Sequence, residues 1–235
     1  MPSLAPVLTR QRRKESRPQE LLDAALSLFV EKGFAATRSE EVAQRAGVSK
    51  GTLYLYFHSK EELLKAVVRH TLAAEIAAGA EQIDRFAGNS TEAVTDLLSD
   101  WWARMYDSPA SGVFKLMITE MRNFPDISAF YASEVMEPGQ ALIGRVLERG
   151  IARGEFRPVD VPSAVQSIIL PMVMLCLHKH SLSACSQELT ASEDPKHFIR
   201  QHFTLLMGGL RAASDSSLPA APPRIRRKSS PKLTA

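Results

Sequence analysis

The run Gly47-Val48-Ser49-Lys50-Gly51-Thr52-Leu53-Tyr54-Leu55-Tyr56-Phe57 concentrates side chains suited to nucleic-acid recognition. Gly47 can take the left-handed backbone of a tight turn. Ser49 can cap the helix that follows, whose positive N-terminus can meet a phosphate. Lys50 and Thr52 can reach base edges, and Gly51 permits close backbone approach. Tyr54 and Tyr56 bring hydroxyls to phosphates and rings to thymine methyls. Taken singly, Tyr54 and Tyr56 read more often as ordinary half-buried aromatics, whereas Leu53 and Phe57 read as core.

Two short helices must position these groups. Spacing predicts one over 38–46 and one over 50–57, with three residues between them, the pattern of a helix-turn-helix. Val42 and Ala43 face inward, and Val48, Leu53 and Phe57 close the small core. A first helix over 17–32 carries the stripe Leu21, Leu22, Ala25, Leu28 and Phe29, with Ser16 and Gln19 spaced as a capping box and Gly33 as the stop. Ser59 and Glu62 form another box, opening a long helix through Leu63, Leu64, Val67, Val68, Leu72 and Ile76.

Period-3.6 patterning continues to about residue 211, without alternating strands. Helices are expected around Val94–Met105, around Phe114–Met121, over 126–153 with a kink at Pro138-Gly139, and over 163–181 and 195–211. The fold class is therefore all-α with about nine helices. An N-terminal helix-turn-helix domain is joined by a long helix to a C-terminal regulatory and dimerisation domain. The division is a basic flexible arm at 1–16, the helix-turn-helix domain at 17–62, the helical domain at 63–212 and a disordered basic tail at 213–235. The last two helices are apolar on more than one face, which predicts pairing with the same helices of a second copy.

The 235 residues, 45% hydrophobic and 23% charged, fit a soluble globular protein. Hydrophobic runs such as 167–177 fall short of a bilayer span, and the N-terminus lacks a secretory pattern, so a cytoplasmic protein without a membrane partner is expected. The net charge of +3 is unevenly spread, with basic ends around a mildly acidic middle, as for a polyanion-binding module joined to something else. Cys176 and Cys185 form no disulfide framework.

Residues 17–68 resemble the DNA-binding domain of the TetR family of bacterial transcriptional regulators. The matching pieces are Ala24-Ala25 with Phe29, Gly33-Phe34, Thr37, Val42-Ala43, the block from Ala46 to Phe57, and Ser59-Lys60-Glu61-Glu62-Leu63. The resemblance implies a homodimer that places each third helix in the major groove of a double-stranded DNA operator. Lys50, Gly51 and Thr52 would lie nearest the bases, while Thr37, Tyr54, Tyr56 and Lys60 would hold phosphates. Arg38-Ser39 departs from the family's usual small hydroxyl and apolar pair. Arg38 would then add a phosphate or groove contact, and Thr37 with Glu40 is also spaced as a capping box. The remainder, including Arg149-Gly150 and the run Gly154-Glu155-Phe156-Arg157, resembles the family in architecture, which implies a central ligand pocket.

Trp101, Trp102, Met105, Phe114, Met117, Met121, Phe130 and Met172 supply adaptable apolar faces for a lipophilic small molecule, although core packing accounts for any one of them. Glu120 reads as a surface acid, or else as a contact for a ligand cation. Cys176 and His180 share a helical face, with His178 and Cys185 nearby, so metal sensing is the competing chemistry, but no acidic cluster completes a ligand set. GxSxG, HExxH, P-loop and dinucleotide motifs are absent, which predicts no enzyme and no cofactor. The expectation is a repressor released from a palindromic operator by a small lipophilic effector. A metal-responsive regulator or an activator of the same fold is the alternative.

Overall fold

A computed structural model describes residues 5–182 and 194–211, with side chains from residue 16 onward. Among the described residues there are nine helices and no strand, and Phe156 and Arg211 form an isolated antiparallel bridge. Helix α1, Ala5–Lys32, begins well before residue 17, so the arm expected at 1–16 is helical from Ala5. The Arg, Gln, Lys and Glu residues at 10–20 are strong helix formers and carry the helix through Pro18. Ser16 consequently lies inside α1 rather than at its start, and its hydroxyl donates to Glu20 Oε1, 3.1 Å away.

Helices α2, Ser39–Arg45, and α3, Lys50–Tyr56, form the expected helix-turn-helix, with Gly47 at φ +66° in the turn. Ser49 Oγ accepts the Thr52 N–H at 3.1 Å, and Ser59 Oγ accepts the Glu62 N–H at 3.0 Å. The long helix α4 runs from Lys60–Val68 through a wide turn at Arg69–Ala73 into Ala74–Arg85. Helix α5 likewise runs from Ser90–Glu92 through Ala93–Leu98 to Ser99–Asp107, and a single tight turn, Pro109–Ser111, leads into α6, Gly112–Glu120.

Helix α7 spans Pro125–Tyr131, Ala132–Met136 and Glu137–Ala152 without breaking at Pro138-Gly139. The proline ring would press on the carbonyl of Glu134, four residues earlier. That carbonyl lies in the wide turn, where the spacing is already loosened. Helix α8, Val161–Leu177, ends in a wide turn at His178–Leu182 and contains Pro171. Pro171 cannot donate to the Ser167 carbonyl, and His202 Nε2 of α9, Pro195–Leu210, lies 3.2 Å from that oxygen. Two helices are thus joined at the place where one of them lacks a bond.

Val161–Ser181 is long and apolar enough to cross a bilayer by length and composition only, a test that the core helix of a folded domain also passes. Val165, Ile168, Met172 and Cys176 bury one stripe of it against the neighbouring helices α5, α6, α7 and α9, while Leu170 and Met174 remain exposed. The tail expected at 213–235 lies outside the described residues, as does Cys185.

Candidate functional site

Helices α2 and α3 stand on a small core of Val42, Ala43, Leu53 and Phe57, all buried. Because those positions face inward, Arg38, Gln44, Ser49, Lys50, Gly51, Tyr54 and Leu55 face solvent, with Thr52 and Tyr56 half-buried beside them. Leu55 is 79% exposed. Leu55 and Gln44 were not among the residues expected from the sequence, Leu55 because leucine reads as core. Their helical phase, opposite Leu53 and Val42-Ala43, was the signal that identifies them.

Cations on this face are held by carboxylates of the same chain. Lys32 pairs with Glu41 at 2.6 Å, Arg45 with Glu31 at 2.6 Å, and Lys50 with Glu40. Hydrogen bonds from Lys32, Arg45 and Lys50 lower the proton affinity of Glu41, Glu31 and Glu40 respectively, and Glu40 raises that of Lys50. A phosphate must compete with these exposed pairs, which are individually weak. The Arg38 N–H donates to Glu41 Oε2 at 3.1 Å, so the box at the start of α2 is Arg38 with Glu41 rather than Thr37 with Glu40.

Two residues expected to contact phosphates are hydrogen-bonded within the chain. Thr37 is 1% exposed, and its hydroxyl donates to the Gly33 and Leu28 carbonyls at 2.7 and 3.2 Å. Lys60 Nζ donates to the carbonyls of Phe34, Thr37 and Ala35 at 2.9, 3.0 and 3.3 Å and lies 4.5 Å from the Phe34 ring centroid. Both side chains shape the α1–α2 loop, residues 33–38, by donating to backbone carbonyls that no helix satisfies. Lys60→Ala is therefore expected to cost about 1–3 kcal/mol of stability and to leave the salt dependence of DNA binding unchanged. Thermal unfolding and a salt titration check the two halves of that result.

Phe34 is also held from the other domain. Glu120, at the end of α6, is buried, and its Oε1 accepts the Phe34 N–H at 3.1 Å. The acid is neither on the surface nor free to meet a ligand cation, which corrects both sequence readings of it. Phe124 stacks edge-on against Phe34 at 5.0 Å, and Gly33, at φ +85°, has room for a Cβ only 3.2 Å from Glu120 Oε1. Gly112 packs so closely on Val30 of α1 that a Cβ there would lie 2.5 Å from Val30 Cγ1. Helix α6 is thus fastened to the DNA-binding domain at both ends.

Helices α4 to α8 surround a cavity of about 260 Å³. Trp101, Trp102, Phe114 and Met121 line it, as expected. The two indoles meet edge-on at 4.9 Å, and Trp102 lies 5.8 Å from Phe114. Met105, Met117, Phe130 and Met172 are buried but do not line it. Met105 lies one turn beyond Trp101, where α9 packs on α5, and the Phe130 ring is covered by Lys65 and Arg69 of α4. Met117 and Met172 belong to fully packed stripes of α6 and α8. Much of the wall comes instead from Leu72, Ile76, Tyr131, Val135, Ile143 and Ile169.

The metal alternative finds little geometry. Burial pushes the Cys176 thiol up to about 12, His180 Nε2 lies 2.8 Å from Ser111 Oγ, and burial lowers the proton affinity of that imidazole. Among the described residues no three His, Cys, Asp or Glu side chains converge.

An exposed recognition helix on a three-helix core, fastened to a helical domain with an apolar cavity, defines a DNA-binding regulator. Residues 21–67 match the bacterial regulatory proteins of the tetR family, and residues 87–184 match the tetracyclin repressor-like C-terminal domain. The chain belongs to the TetR family of transcriptional regulators, DNA-binding proteins that are not enzymes and that act as dimers with small-molecule ligands. It is 28% identical over 174 residues to the uncharacterized regulator YfiR of Bacillus subtilis, covering 72% of this chain and 82% of that one. It is 31% identical over 153 residues to the repressor KstR2 of Rhodococcus jostii, covering 64% and 74%. Among solved structures, FadR of Bacillus subtilis in complex with stearoyl-CoA superposes with a TM-score of 0.65 at 20% identity, covering 81% of this chain and 98% of that one.

Proposed function

We propose that this regulator is a cytoplasmic repressor, released from a palindromic operator when a small lipophilic effector enters the cavity. The observation that carries the reading is the two-sided placement of α6. Its Phe114 and Ile118, with Met121 just beyond, line the cavity, while Glu120 holds the Phe34 N–H of the DNA-binding domain. An effector that favours a different seat for α6 also favours a different seat for that domain, and DNA lowers effector affinity by the same factor. The relative KstR2 is a transcriptional repressor, which supports repression over activation.

Lys50, Gly51 and Thr52 read bases in this proposal. Ser49, Tyr54, Tyr56 and Arg38 contact phosphates or sugars, and Gln44 and Leu55 extend the surface. Two copies paired through α8 and α9 present the two recognition helices to half-sites about one helical turn apart, roughly 34 to 36 Å, or a modest expansion of that spacing. Footprinting tests this: one inverted-repeat footprint is expected, and protection of single asymmetric half-sites overturns it. Lys50→Ala and Thr52→Ala are expected to change the preference among operator variants by about tenfold at a contacted base pair. A uniform loss across all variants removes the base-reading assignment.

A further inference from the structure

The wall of the effector cavity carries no Asp, Glu, Lys, Arg or His among the described residues. The polar residues on it are Gln82, Gln140, Gln166, Tyr131, Trp101 and Trp102. Tyr131 is 6% exposed and lies on this wall. The Trp102 N–H is buried without a partner. Neutral donors and acceptors left unmatched in an apolar enclosure are costly unless a ligand's own polar atoms meet them. An ion brought into the same enclosure would lose its hydration with no opposite charge to replace it.

We propose that the effector is an uncharged lipophilic molecule with one neutral hydrogen-bonding group, recognised by the Tyr131 hydroxyl and the glutamine amides. Free carboxylates and ammonium ions are rejected. This rests on the reading of the cavity as the effector site. Two further observations agree with it. Burial raises the proton affinity of Tyr131, so the phenol remains a neutral donor across the physiological range. Exposed Ile118 and Met136 also lie on the lining, so the cavity is apolar where it meets solvent and offers no charged rim to hold an ionic head. The volume, about 260 Å³, suits a short chain or small ring system, below the ~300–1,000 Å³ of typical drug-sized sites.

The test uses the full-length protein and a matched set of probes with a common chain: decanamide, decylammonium and decanoate at pH 7. Binding is read by tryptophan fluorescence and calorimetry. Decanamide is expected to bind at least about tenfold more tightly than either ion, because each ion must be stripped of water without compensation. Tyr131→Phe is expected to weaken decanamide about tenfold with little change in thermal midpoint, since only the hydroxyl is removed. Gln140→Glu is expected to shift preference toward decylammonium. If either ion binds wild type within threefold of decanamide, the inference fails while the effector-site reading stands. If no probe of any charge binds, both fail together. Unchanged decanamide affinity in Tyr131→Phe overturns the assignment of the hydroxyl.

Discussion

Leu205→Glu is expected to give a folded monomer that binds the operator at least about a hundredfold more weakly than wild type, as follows from losing bivalent attachment to two half-sites. Leu205 is 77% exposed in the protomer, so a glutamate there is solvated and leaves the protomer's own core intact. Phe198, His202 and Leu205 recur at one face of α9, and His202 reaches the Ser167 carbonyl of α8, whose exposed Leu170 and Met174 extend the apolar surface. Burying a leucine side chain contributes about 1.5–3 kcal/mol, and a two-fold interface counts each position twice. A buried, unpaired carboxylate reverses that gain and adds a desolvation penalty. Sedimentation gives the oligomeric state, and circular dichroism shows whether the protomer stays folded. A variant that remains a dimer of normal stability places the interface on other helices.

Glu120→Ala is expected to separate effector binding from DNA release. Removing the carboxylate leaves the Phe34 N–H buried without an acceptor, at a cost of about 1–3 kcal/mol, and detaches the end of α6 from the α1–α2 loop. Effector affinity should be nearly unchanged, because Glu120 does not line the cavity. The ratio of operator affinities without and with effector should fall toward unity from an ordinary coupling of about 5–150-fold. Glu120→Gln retains a carbonyl oxygen at that position and is expected to restore most of the coupling. Equal coupling in wild type and Glu120→Ala would falsify the role of this contact and direct attention to Gly112 on Val30, the other attachment of α6. Loss of effector binding in Glu120→Ala would instead assign the residue to the cavity.

The recognition surface was legible in the sequence because helical phase is local. Once Val42, Ala43, Leu53 and Phe57 are placed inward, Lys50, Gly51 and Tyr54 must face outward. Leu55 escaped that logic because residue type was weighed above phase. Thr37 and Lys60 escaped for a different reason. A hydroxyl and an ammonium suit a phosphate and a backbone carbonyl equally well, and only the loop's path brings Gly33, Phe34, Ala35 and Thr37 carbonyls to them.

The regulatory half shows the limit more sharply. Methionine and tryptophan at helical spacing identify apolar faces, and all eight candidates lie partly or wholly in the interior. Four of them line the cavity and four do not, because a cavity is a place where several helices fail to meet. No single helix carries that information. Glu120 likewise carries no local sign of its partner, 86 residues away in the chain.

The sequence by itself determined the helices, the helix-turn-helix and its outward groups, since hydrophobic period, capping residues and turn glycines act over a few residues. Tertiary structure alone decided that Lys60 and Thr37 hold a loop, that Glu120 fastens one domain to the other, and that the helical domain's cavity is walled without charge among the described residues. Those outcomes depend on which distant side chains share a small volume, where an unpaired polar group or ion is costly and each one must find its partner.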